Sequence, residues 1–122
     1  MSAEIIHLML SLRNQVKLYH WQTMSFPRHK ATDELVGKLD ENIDKFVEVY
    51  IGKYGRPRLT SKHGIHLHNF SDKQATRFLQ NAVSWLSNEL PKKLKSVDTD
   101  LLNIRDEIVA DLNQTLYLFT FH

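Results

Sequence analysis

The chain has 122 residues, 42% apolar and 25% charged, with a net charge of +2, which bounds it to one domain, residues 1–122, around one hydrophobic core. Four glycines and three prolines argue against a loop-rich all-β fold, and the absence of cysteine excludes a disulfide framework and thiolate metal sites. The small net charge gives no reason to expect nucleic acid, and no apolar run is long enough to span a bilayer, so a cytoplasmic setting is expected.

In chain order, Ile5, Leu8, Met9, Leu12, Val16 and Tyr19 recur at helical spacing and predict a first helix to about Trp21. Phe26-Pro27 interrupts it, and a second helix is expected just after Pro27. Its core stripe is Val36, Leu39, Ile43, Val47 and Tyr50, and it should stop at KYGRP with Gly55 as cap. Residues 56–70 have no helical period and read as a connection. Ser71-Asp72-Lys73-Gln74 matches a capping box ahead of Phe78, Leu79, Ala82, Leu86 and Leu90, a stripe that Pro91 ends or kinks. After the Asp98-Thr99-Asp100 start signal, Leu101, Ile104, Ile108, Leu112, Leu116 and Phe119 carry a fourth helix. Four helices with one long crossover between the second and third predict an all-α, ferritin-like four-helix bundle. An up-down bundle with an elaborate middle loop is the alternative.

The second helix carries most of the chemistry. With Asp33 at zero on a wheel of about 100° per residue, Asp44 falls near 20°, Glu48 near 60° and His29 near −40°. These four side chains share one strip beside the core, whereas Glu34, Lys38, Glu41 and Lys45 lie further round and read as exposed charges. His29 and Asp33 are four apart, as are Asp44 and Glu48, so each pair can close on one ion. Between Asp33 and Asp44, however, the helix rises about 16 Å, and paired metals sit about 3.5–4 Å apart. One helix cannot bring both pairs to one site. A second copy running antiparallel can, with a two-fold axis near residues 38 and 39 creating two equivalent sites. Gly37, close to that axis, would let the helices approach; it also reads as a tolerated helix glycine. Asp40 would face its own copy there and needs a lysine or arginine partner. His20, at the end of the first helix, can supply another nitrogen.

NQVKLYHWQT followed by this H…D…D…E series resembles the Dps-like branch of the ferritin superfamily, the starvation-induced mini-ferritins. The matching positions are His20-Trp21, His29-x3-Asp33 and Asp44-x3-Glu48, within residues 13 to 56. The resemblance implies His20, His29, Asp33, Asp44 and Glu48 as metal and catalytic residues, shared between two subunits. It implies Fe(II) binding and oxidation by peroxide or oxygen at a dinuclear iron site (Fe2+/Fe3+), with zinc or another divalent metal able to substitute. The chain is also similar to short proteins encoded by phages and large viruses, which would place it in a host cell. It departs from the family in three ways. The interval from His20 to His29 is about three residues shorter, so Pro27 is expected to place His29 differently. The chain is shorter after the second helix, favouring a homodimer over a larger shell. No lysine-rich tail precedes the first helix, so DNA binding is not supported. Glu107 does not open the Glu-x-x-His of intra-bundle di-iron centres, since Ala110 lies three residues after it. A metal-free interaction module keeping the fold and dimer is the alternative function.

Of the remaining features, Trp21 reads as a packing residue beside the site. His63, His66 and His68 read as a polar loop, and His7 and His122 have no partner by spacing. Arg56, Arg58, Lys62, Lys92, Lys93 and Lys95 read as scattered surface cations.

Overall fold

A computed structural model describes residues 3–122, and the four expected helices are present: α1 (Glu4–Gln22), α2 (Phe26–Tyr54), α3 (Asp72–Asn88) and α4 (Thr99–Leu118). Short 3-10 turns at Ser61–His63 and Leu90–Lys93 complete the elements, and no strand occurs among the described residues. Local chemistry accounts for the boundaries. The Ser25 side chain accepts the Arg28 amide and Pro27 occupies the first turn of α2, so proline opens that helix at Phe26. Gly55 ends it with φ of 87°, in the left-handed region that favours glycine. Ser71 and Gln74 close the expected capping box, and α3 stops at Asn88, with Pro91 in the 3-10 turn beyond.

The core of this four-helix bundle gathers Ile5, Met9, Leu35, Leu39, Phe46, Leu101, Ile108 and Leu112, all essentially buried. The apolar face of α2 is wider than its sequence stripe, because Ala31, Leu35 and Phe46 are also buried. The cause is α4, the helix with which α2 has its most extensive contact. On that side Lys38, expected to be an exposed charge, is half-buried and donates to Gln114 of α4 at 2.9 Å. Asn42 donates to Asp111 at 3.0 Å.

Residues 55–71 join α2 to α3 alongside α1. His7 in the first turns of α1 donates from Nε2 to the Gly64 carbonyl at 2.9 Å, so His7 does have a partner. Midway, the buried Gln15 amide clamps the His68 backbone, donating to its carbonyl at 2.7 Å and accepting its N–H at 2.9 Å. Near the end of α1, Gln22 donates to Asn69 at 2.5 Å. The connection therefore follows α1 from its first turns to its last.

Asp98, read as a helix start signal, makes no capping bond. Its carboxylate is 1% exposed, and it accepts from Lys53 at 2.7 Å, from the Lys95 amide at 2.8 Å and from the Tyr54 hydroxyl. The Lys53 and Tyr54 hydrogen bonds, with the backbone bond from Lys95, hold its pKa down to about 2, and Lys53 is raised by its bonds to Asp100 and to Asp98. A carboxylate held below its ordinary range gives stability that is complete above the unfolded value and lost as pH falls through the folded one. Thermal melts should therefore show this contribution intact above about pH 4 and disappearing between about pH 4 and pH 2. Asp98→Asn should flatten that acid limb, whereas replacing the exposed Glu34 should leave it unchanged.

Candidate metal centre

The turn at residues 23–25 is so short that the last turn of α1 faces the first turn of α2. This brings His20 and His29 ring on ring, with centroids 4.0 Å apart and planes 18° from parallel. Each imidazole bonds the other's backbone. His20 Nδ1 donates to the His29 carbonyl at 2.8 Å, with Thr32 Oγ1 at 3.1 Å, and His29 Nδ1 donates to the His20 carbonyl at 2.9 Å. A carbonyl only accepts, so both rings carry hydrogen on Nδ1, and in the neutral imidazole the Nε2 lone pair is left free. Fixing one ring nitrogen by such a bond is how proteins orient a metal-binding histidine. Asp33, one turn beyond His29, lies with Oδ1 3.8 Å from His20 Nε2, and its side chain is largely exposed. The shorter His20-to-His29 interval thus does not separate the two histidines, and Pro27 aids their approach by opening α2 early.

Arg28, a residue with no place in the sequence reading, anchors this corner. Its guanidinium donates to the Tyr19 hydroxyl at 3.0 Å and to the Asp72 carbonyl at 2.7 Å. It also lies 4.3 Å over the Phe119 ring. Tyr19 donates to the Asp72 carboxylate at 2.5 Å and Thr23 at 3.0 Å, and these bonds, Tyr19 foremost, hold Asp72 below its ordinary pKa. A signal was present in the sequence. An arginine in the first turn of a helix opposes the helix dipole and requires an anionic or carbonyl partner.

The second pair sits further along the same helix. Asp44 and Glu48 are exposed and close enough for their carboxyls to share a hydrogen bond, which together with the Asp44 charge raises the Glu48 pKa. Two neighbouring carboxylates disfavour each other's charge, and a cation beside them relieves that repulsion. Between the two clusters Asp40 has the cationic partner expected for it, a fork from Arg13 at 2.8 and 3.3 Å. A methyl group built on Gly37 would meet nothing within 4 Å, so nothing in the protomer requires glycine there. Within one protomer, no three histidine or acidic side chains among the described residues are grouped to hold a metal. His20, His29 and Asp33 lie at one end of this strip, and Asp44 and Glu48 lie further along α2.

The other expectations divide. Trp21 does not pack into the core: it is 67% exposed, with the Lys17 ammonium 5.0 Å over its ring. His63 serves structure, accepting the Thr60 amide at 2.8 Å on Nδ1, and His68 stacks on Phe70. No helix among the described residues is long and apolar enough to cross a membrane.

A family of unknown function (DUF5856) matches residues 20–119. The chain belongs to DUF5856. The matched span includes His20, His29, Asp33, Asp44 and Glu48. The chain is also similar to a phage protein described as an uncharacterized 14.6 kDa protein in the mobD-ri intergenic region of Enterobacteria phage T4. The two are 30% identical over 99 residues, covering 80% of this chain and 77% of that protein. No solved structure matches the chain.

The acid pair makes a direct prediction. Because the raised Glu48 value is caused first by Asp44, Asp44→Asn should return the Glu48 carboxyl toward its ordinary titration range. Carboxyl carbon chemical shifts followed against pH would measure this; an unchanged Glu48 curve would show that the two side chains do not interact.

Proposed function

We propose that two copies of this DUF5856 chain pair antiparallel along α2 to bind and oxidise Fe(II) at two symmetry-related sites. His20, His29 and Asp33 come from one copy, Asp44 and Glu48 from the other. The observation that carries the reading is the reciprocal bonding of the two histidines, which ties up both Nδ1 atoms and leaves both Nε2 atoms available, that of His20 beside the Asp33 carboxylate. Imidazole and carboxylate are the donors suited to iron when no thiolate exists. The half-sites are too far apart on one helix to meet, so a second chain is required. In this reading Fe(II) is the substrate. Two ferrous ions give one electron each, reducing one peroxide to water with uptake of two protons, while the carboxylates stabilise the added ferric charge. The course of residues 55–71 along α1 supports the ferritin-like topology to which such chemistry belongs. The phage relative supports a setting in the cytoplasm of an infected bacterial cell.

A second reading is a metal-free interaction module with the same fold and dimer, since the described residues of one chain hold no group of three histidine or acidic side chains placed to bind a metal. The histidine pair would then serve only to brace the α1–α2 turn. Anaerobic Fe(II) titration with mass determination separates the two. Iron chemistry predicts about two ferrous ions per chain in a dimer or larger assembly, and ferric absorbance on adding peroxide. Both should be lost in a His29→Ala, Asp33→Ala double variant and kept in Glu34→Ala. Binding no greater than that of the double variant, from an intact dimer, would overturn the iron reading.

Gly37 tests the pairing independently of metal. Gly37→Ala should raise the stability of the isolated protomer by about 0.5–1 kcal/mol, because alanine is the better residue inside a helix. It should also weaken self-association, measured by sedimentation, since the methyl group would stand between the paired helices. Unweakened association would place the interface elsewhere.

A further inference from the structure

At the end of the bundle where α1 turns into α2, the fold leaves three large apolar side chains uncovered. Trp21 lies in the last turn of α1, Met24 in the connection and Phe26 at the start of α2, and they are 67%, 98% and 69% exposed. The charge around them is of one sign. From residue 5 to residue 32 the sequence holds Arg13, Lys17, Arg28 and Lys30 and no aspartate or glutamate. The acids that reach this end from elsewhere, Asp33 and Asp72, lie beside His20 and Arg28, and Arg13 is paired with Asp40. Lys17 and Lys30 have no ion pair among the described residues. Each lies instead over a ring, Lys17 at 5.0 Å over Trp21 and Lys30 at 5.9 Å over Phe26.

We infer that this end of the bundle docks on an anionic lipid bilayer, with Trp21, Met24 and Phe26 entering the headgroup boundary and Lys17 and Lys30 meeting the lipid phosphates. Charge selects an anionic partner, because two unpaired ammonium groups flank the apolar tip. Reversible membrane docking uses these two signals together, apolar insertion and basic residues at the surface. Shape decides against a protein. A side chain as exposed as Met24 has almost nothing beside it, so the tip is convex. A standard protein interface engages roughly 20–30 residues a side, whereas a bilayer yields around an isolated tip. The rings decide against nucleic acid. Bases stack on open aromatic faces, but Lys17 lies over Trp21, Lys30 and His29 lie against Phe26, and Met24 has no ring.

The test is co-sedimentation of the full chain with vesicles of equal parts phosphatidylglycerol and phosphatidylcholine, compared with phosphatidylcholine alone. The chain should bind the anionic vesicles about tenfold more tightly, release as salt is added, and show a blue shift of emission that Trp21→Phe abolishes. Lys17→Gln and Lys30→Gln should each weaken binding about fivefold, the effect of one lysine at an anionic surface. Met24→Ser should weaken it about tenfold through lost apolar insertion, with the helices intact by circular dichroism. No binding to the anionic vesicles, equal binding to both kinds, or unchanged binding in Met24→Ser would overturn the proposal. So would loss of self-association in Met24→Ser, which would make the tip a contact between copies. Preference for a single-stranded oligonucleotide over the vesicles would overturn it as well, in favour of a nucleic-acid surface.

Discussion

The arrangement depends on one cation, the Arg28 guanidinium, held where all four helices meet. It bonds Tyr19 of α1 and the Asp72 carbonyl of α3, and lies over Phe119 at the end of α4, while itself belonging to the first turn of α2. A positive charge at a helix N-terminus costs about 0.3–1 kcal/mol against the dipole. Hydrogen bonds to a charged group return about 1.5–3 kcal/mol each, and a partly desolvated ring about 1–2 kcal/mol more. The partners outweigh the dipole, so Arg28 fixes the start of α2 relative to the other three helices. Burial raises the Tyr19 hydroxyl pKa, and its bond to Asp72 raises it further. It therefore stays a donor throughout the ordinary pH range.

The histidine pair follows from that anchoring. His29 is the residue after Arg28, so the register that seats the guanidinium also aims the His29 ring at the end of α1. There the last carbonyls lack helical partners, and His20 offers one of them to His29 Nδ1. The return bond, from His20 Nδ1 to the His29 carbonyl, is supported by Thr32, whose hydroxyl donates to the Arg28 carbonyl at 2.7 Å and is thus free to accept. A helix-capping need and an imidazole orientation are met by the same bonds. This explains how so short a turn can assemble the pair.

What was legible in the sequence follows from which interactions are local. Helix periodicity, the Ser71–Gln74 box and the Gly55 cap are properties of neighbouring residues, and each appears where the pattern put it. The wheel of α2 also grouped His29 with Asp33 and Asp44 with Glu48, because four-residue spacing on a helix is itself a contact. Features made between distant segments were not legible. Gln15 carries no signal of its own in the sequence, yet it clamps His68 from 53 positions away. Asp98 looked like a cap, and only the end of α2 folded against it shows a buried acceptor. Lys38 looked solvated because the wheel of one helix does not contain α4. Trp21 failed in the opposite sense: aromatic residues are usually packed, and this one lies on the outer side of α1, beyond reach of the core.

The polar groups along the outer strip of α2 are not equivalent in how they are satisfied. Asp40 is neutralised by Arg13, while Asp44 and Glu48 face each other as like charges. At the opposite end of the strip, His20 and His29 have each committed one nitrogen and retained one. An acid pair seeks a cation, and a nitrogen pair with free lone pairs accepts one, but within a protomer they are separated by about 16 Å of helix. Reversing a second helix against the first removes that separation and adds no new residue. In the proposed dimer the compensated Asp40 and the bare Gly37 would lie near the axis, where a free charge or a side chain would hinder approach. In the proposed pairing, each residue on the strip would be completed or already neutralised according to its distance from the axis, and that graded pattern is the physical argument on which the proposal rests.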